Sequence, residues 1–212
     1  MYNSDNFFKS YYKNASEKNL LVRMLDKKFY FCGESISILD LGCHDGFLMK
    51  KILTQYASRL PEKVFLTGVD PSASALNIYK NINFGDNVVT RTFHGTAESF
   101  FKQNKDYYDW SLASQCLYWS ENLADTIIKI NKSCQSGLIV LRGQKGIYQI
   151  QSELKRYLGN KEEKLYTATH IKNILKENNI NHVHEGKSTY IDLPEEDSPE
   201  YHYLISFLLQ RT

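Results

Sequence analysis

Residues 35–52, SISILDLGCHDGFLMKKI, read as a buried strand that enters a glycine-punctuated turn and leaves it as a helix. Gly42 lets the backbone turn and approach a ligand with no Cβ in the way, and Gly46 opens the helix. His44 stands where a second glycine would be expected. A dinucleotide fingerprint needs a third glycine for close helix packing and a bare helix N-terminus for its pyrophosphate, and that glycine is absent here. The phosphate loop GxxxxGK[ST] is also missing, which argues against nucleoside triphosphate binding by that route.

Outward from this stretch the pattern alternates. Strands are expected over 36–41, 63–70, 87–93, 108–114 and 137–142, with helices over 46–58, 72–81, 96–104, 120–133 and 146–158. Apolar strands that alternate with crossover helices predict an α/β fold with a Rossmann-like, doubly wound, mostly parallel sheet. Before it lie two helical segments, 5–13 and 16–28, the second with Leu20, Leu21, Met24 and Leu25 at helical spacing. After it come a helix at 168–178 capped by Thr167 or Thr169, an extended stretch at 181–192 that is a candidate sixth strand, and a helix at about 197–210. The expected organisation is one domain over 1–212, with an N-terminal helical cap or lid over 1–34 and the core over 35–212.

The 212 residues suffice for one sizeable α/β domain, and 42% hydrophobic content supports a genuine core. Lysine and arginine number 26 against 24 aspartates and glutamates, with no basic tract, so no nucleic-acid partner is indicated. Cys32, Cys43, Cys116 and Cys134 show neither CxxC nor zinc spacing and read as small buried hydrophobes in a reducing compartment. No apolar window reaches the roughly 18 to 20 residues of a membrane span, and the N-terminus lacks a signal-peptide core. The expectation is a cytoplasmic protein with no membrane partner, a monomer or weak homodimer.

In open sheets of this kind ligands bind beyond the carboxyl ends of the strands. Those segments are Asp40 to Gly46, Asp70 to Ser72, His94 to Glu98, Ser114 to Trp119 and Arg142 to Gly146. Asp70, at the end of the second strand, is placed to accept hydrogen bonds from both hydroxyls of a ribose. The site wants a ribose without a pyrophosphate. S-adenosylmethionine fits: it carries adenosine, a sulfonium and an amino-acid tail, and no phosphate.

The series ILDLGCHDG, LTGVDPS, FHGTAES, DWSLASQCLYW and GLIVLRG resembles the class I S-adenosylmethionine-dependent methyltransferases over about residues 36–146. Against the usual first motif, D/E-x-G-x-G-x-G, Asp40, Gly42 and Gly46 match and His44 replaces the middle glycine. The resemblance implies S-adenosylmethionine as cofactor and S-adenosylhomocysteine as product. It places Asp40 and Gly42, with Cys43, His44 and Gly46 of the same turn, by the methionine portion, and Asp70 with Pro71 by the ribose. Thr96 and Ala97 would lie by the adenine, and Ser114 and Gln115 beside the reactive methyl. It also implies a sheet of up to seven strands.

A finer likeness, carried by ASEKNLLVRML, SQCLYW, YTATHIKNILKENNI and STYIDLPE, is to the histamine N-methyltransferase family. It implies that Glu17 and Gln115 position the acceptor and that Trp119 stands by an aromatic wall; the asparagine that family uses in a C-terminal extension has no counterpart here. The expected reaction is methyl transfer to a small molecule, an amine or imidazole nitrogen above others. Alternatives are an RNA or protein methyltransferase, and a module that binds the cofactor without turnover. SQCL stands where RNA enzymes carry an NPPY-like tetrapeptide. His182 and His184 share a face of an extended stretch but lack a third ligand, so no metal site is expected.

Overall fold

The computed structural model describes residues 5–209 except 28, 30, 32, 159–163 and 165. Cys32 lies outside the described residues. Five strands, β1 Ser35–Leu41, β2 Lys63–Asp70, β3 Val88–His94, β4 Tyr108–Ser114 and β5 Cys134–Val140, form one sheet in the order β3-β2-β1-β4-β5. Every pairing is parallel. The order reverses between β1 and β4, which opens a crevice beyond their carboxyl ends.

Helices cover both faces. Ile36 and Ile38 of β1, Val64 and Leu66 of β2 and Leu112 of β4 pack with α2 Glu17–Met24, α3 Phe47–Gln55 and α4 Ala73–Asn81. Leu39, Leu41, Val69 and Ala113 face the other way, against α5 Ala97–Gln103, α6 Leu123–Ser133 and α8 Ala168–Glu177. Successive residues of one strand thus bury in opposite layers, as a strand covered on both sides requires.

The first and last helices meet. On α1 Asp5–Asn14, Tyr11 stacks on Phe207 of α9 Pro199–Leu208 with ring centroids 4.5 Å apart, and Phe8 meets the same ring at 5.4 Å. Beneath α9, the Gln151 side chain of α7 Ile147–Glu153 donates to the Leu208 carbonyl at 2.8 Å. The cap over the strand ends is therefore built from both termini.

The structure departs from the sequence pattern at three places. The stretch 181–192 does not join the sheet: Ile191 makes an isolated antiparallel bridge to Ala15, and the Ser16 and Asp192 amides complete a clasp on the Tyr190 and Asn14 carbonyls at 3.0 and 2.9 Å. Its polar composition and a Val183 that is 86% exposed give it no face to bury against β5. The fifth strand begins at Cys134 rather than 137, because α6 runs into it with no intervening loop and Cys134 pairs with Tyr108. The segment 146–158 divides into α7 and a 3-10 turn, Lys155–Tyr157. Thr167 is the cap of α8, in a capping box with His170. No described helix is long and apolar enough to cross a membrane.

Candidate active site

The turn after β1 is held by the neighbouring strand. The Gly42 and Cys43 amides both donate to the Val69 carbonyl, at 2.8 and 3.1 Å. Gly42 has φ +64°, and a Cβ there would meet Cys116 Cβ at 2.2 Å, so packing against the β4 end demands the glycine. His44 also lies in the left-handed region, at φ +47°, where histidine is tolerated more often than most residues. Its ring lies 4.3 Å from Phe8 of α1. A glycine would relieve the backbone but offer nothing to the cap, which explains why this turn accepts a histidine.

Asp70, 7% exposed, organises the crevice. Its Oδ2 accepts the His44 amide at 2.9 Å and its Oδ1 accepts the Ser72 amide at 2.8 Å. A carboxylate has about four lone-pair directions, so these two bonds leave each oxygen with a further one. Ser72 caps α4 by accepting the Ala75 amide, and the Pro71 carbonyl lies 3.1 Å from His94 Nε2.

Asp40 is buried at the end of β1, where the Tyr79 hydroxyl of α4 donates to its Oδ2 at 3.2 Å. Gly68, paired with Asp40 across the strands, makes room for that ring: a Cβ there would lie 2.7 Å from Tyr79. Burial raises the Asp40 carboxyl to about 7; the Tyr79 hydrogen bond opposes this, the Asp70 carboxylate adds to it and the Lys18 ammonium opposes it.

The N-terminal segment closes over these groups. Tyr12 of α1 stacks on Phe47 at 5.2 Å, and burial raises its hydroxyl pKa, with Asp45, Glu17, Asp70 and Asp40 adding to the effect. Glu17 Oε2 accepts the Tyr11 hydroxyl at 2.6 Å. Lys18, 6% exposed, donates to Ser114 Oγ at 3.2 Å and pairs with Glu17 Oε1 at the same distance. Lys18 and Tyr79 belong to the site although no sequence motif singles them out.

At the β4 end, Gln115 takes the left-handed conformation, φ +54°, and its amide donates to the Val140 carbonyl at 2.9 Å. Its Oε1 and Glu17 Oε1 are buried with no hydrogen-bond partner among the described residues; Lys18 lies near the latter as an ion pair without hydrogen-bond alignment. Strained residues after adjacent strands, His44 and Gln115, mark the crevice as a place where packing overrides backbone preference. Arg142, past β5, stacks on Tyr118 at 4.2 Å and is held by Gln151.

Other expected site residues lie further out. Thr96 caps α5 by accepting the Ser99 amide at 3.2 Å, with Ala97 as the first helical residue. Trp119 is 47% exposed and makes no ring contact among the described residues, so the structure does not bring it together with the Tyr11, Tyr12 and Phe8 cluster. A groove of about 360 Å³ lined by Ser37, Phe65, Val89, Arg91 and Tyr107 lies toward the strand starts and is not this site. His182 Nδ1 lies 2.8 Å from the Ile180 carbonyl, and no group of three potential metal ligands occurs among the described residues.

The donor set fits one kind of ligand. Asp45, Asp70 and Glu17, joined by Asp40 once it is ionised, bring negative charge to a crevice in which Lys18 pairs with Glu17. A pyrophosphate would be repelled, whereas a ligand with a sulfonium, an ammonium and a ribose diol is matched in charge and hydrogen bonding. Fold and crevice together define a class I S-adenosylmethionine-dependent methyltransferase, with S-adenosylmethionine supplying an electrophilic methyl on a cationic sulfur. A family model described as a methyltransferase domain matches residues 11–185. The chain belongs to that family.

Among solved structures, the plantazolicin methyltransferase BpumL, in complex with a monoazolic desmethylPZN analogue and S-adenosylhomocysteine, is 21% identical; the match covers 97% of this chain and 79% of that one, with a TM-score of 0.53. YcgJ from Bacillus subtilis is 13% identical over 76% of this chain and 66% of its own, with a TM-score of 0.53. A chain from the Haloferax volcanii complex of the Trm112 methyltransferase activator reaches a TM-score of 0.61 at 13% identity, over 94% of this chain and 86% of that one. At these identities the likeness is one of fold. Curated protein sequences give no significant match.

Proposed function

We propose that this methyltransferase acts on a small molecule that presents an N–H donor, an amine or an imidazole, in the cytoplasm. The observation that carries this reading is the pair of buried acceptor oxygens, Glu17 Oε1 and Gln115 Oε1, that have no hydrogen-bond partner among the described residues. A buried acceptor left unsatisfied costs about 1–3 kcal/mol, and a ligand bearing donors removes that cost. In this reading Glu17 receives a cationic or N–H group and Gln115 turns the acceptor nitrogen toward the methyl. Tyr11 and Tyr118 supply aromatic surface, Trp119 stands at the rim, and the N-terminal segment acts as the lid. Asp40, Gly42, Cys43, His44, Gly46, Asp70, Pro71, Thr96, Ala97 and Ser114 hold the cofactor side.

The transfer asks for an acceptor lone pair in line with the methyl at roughly 3 Å, with water excluded. The stack of Tyr12 on Phe47 and the contact of Phe8 with His44 supply the exclusion. An ammonium has no lone pair, so an amine acceptor must be neutral when it reacts; Glu17 favours its cationic form on arrival, which makes the rate rise with pH toward the acceptor's own pKa.

The test is transfer of isotope-labelled methyl to a panel of primary amines, imidazoles, phenols and transfer RNA. Label on amines or imidazoles is expected; label confined to phenols or RNA would overturn the acceptor class. For Gln115→Ala, turnover on the best acceptor should fall about 10- to 100-fold while cofactor affinity is unchanged. An equal loss in both would instead assign Gln115 to the cofactor pocket.

A further inference from the structure

The cofactor's amino-acid tail ends in a carboxylate, and the crevice is acidic. A carboxylate in a partly buried site needs a cation or an unoccupied helix N-terminus. The nearest helix start is already taken: the Phe47 amide of α3 donates to Asp45 Oδ1 at 3.1 Å, so the protein's own carboxylate sits there. The lysines of α3 turn outward, Lys50 to the Asn83 carbonyl and Lys51 to the Asn19 side chain.

Lys18 differs from both. It is buried, it reaches across 96 residues of sequence to Ser114 at the β4 end, and its charge is felt at Asp40. An ammonium has three donor directions. Ser114 Oγ accepts one, and Glu17 Oε1 sits at 3.2 Å in a second, misaligned direction. Tyr12 lies with its ring centroid 5.8 Å from the ammonium, which leaves an aromatic wall on one flank. A buried ammonium in this setting retains a donor that the described residues do not use.

We propose that Lys18 receives the α-carboxylate of the cofactor's amino-acid tail, as a positioning residue carried on the cap rather than on the sheet. This rests on S-adenosylmethionine as the donor. The acidic β1 end would meet the tail's ammonium and Lys18 its carboxylate.

The experiment titrates wild-type protein, Lys18→Met and Lys18→Arg with S-adenosylhomocysteine, and in parallel with 5′-methylthioadenosine, which lacks the amino-acid tail. Lys18→Met keeps the buried stem and removes the charge. It should weaken S-adenosylhomocysteine at least about tenfold and leave methylthioadenosine within about twofold, and Lys18→Arg should restore most of the loss. Equal weakening of both ligands would mean that Lys18 only supports the fold, and no weakening of either would mean that the tail lies elsewhere; each overturns the proposal. Wild-type protein that binds neither ligand would remove the cofactor assignment itself and this proposal with it.

Discussion

Asp70→Ala is expected to lose stability and cofactor affinity together. The carboxylate accepts the His44 amide on one oxygen and the Ser72 amide on the other, and alanine leaves both donors without their acceptor. At about 1–3 kcal/mol for each unsatisfied buried donor, the loss of folding stability should be of order 2–6 kcal/mol. The same change removes the acceptor for the ribose hydroxyls, a further about 1.5–3 kcal/mol in binding, or roughly 10- to 150-fold in Kd. Urea denaturation and calorimetric titration of the variant measure the two effects separately. An unchanged denaturation midpoint would mean that the two amides find other partners, and unchanged affinity would take Asp70 out of the ribose site.

Asp40→Asn is expected to do the opposite to stability. Burial raises the Asp40 carboxyl to about 7 in the folded protein, against a value of about 3.9 in an unfolded chain. A carboxyl that holds its proton more tightly when folded contributes stability that is fully present below the unfolded value and is lost as pH rises through the folded one. Above about pH 7 the fold therefore carries an ionised, buried carboxylate at a cost of order 2–4 kcal/mol. Asparagine removes that charge and can still accept from Tyr79. The variant should be more stable than wild type by that order at pH 8 and equal to it near pH 4, while its affinity for the cationic cofactor falls. Denaturation midpoints that change with pH in parallel for both proteins would show that Asp40 is not the titrating group. A gain in stability coupled to a loss of binding is the signature of a residue kept for function.

The sheet was legible because each of its strands is an apolar run closed by a polar or glycine-bearing turn, and because crossover geometry converts that alternation into parallel order. The strand-end residues follow from the same rule, and Asp40, Asp70, Ser114 and Gln115 stand at the carboxyl ends of β1, β2 and β4. What could not be read are the contacts that tie distant segments to it. Lys18 lies in the first turn of an amphipathic helix, where a lysine normally faces water, and only packing of α2 brings it to Ser114. Tyr79 reads as a helix core residue; its role depends on the absence of a Cβ at Gly68. His44 reads as a defect in a glycine motif until Phe8 is placed against it. The stretch 181–192 carries β-formers such as Val183, Tyr190 and Ile191, but a strand needs a face to bury, and here only Ile191 finds one, against the cap.

S-adenosylmethionine, and no pyrophosphate cofactor, is expected to bind the acidic crevice at the strand ends. Isothermal calorimetry of the purified protein with S-adenosylmethionine, S-adenosylhomocysteine and NAD tests it directly. Saturable binding of the first two in the micromolar range, with no heat from NAD, is the predicted result. Binding of NAD, or no heat from either sulfur ligand, would contradict it.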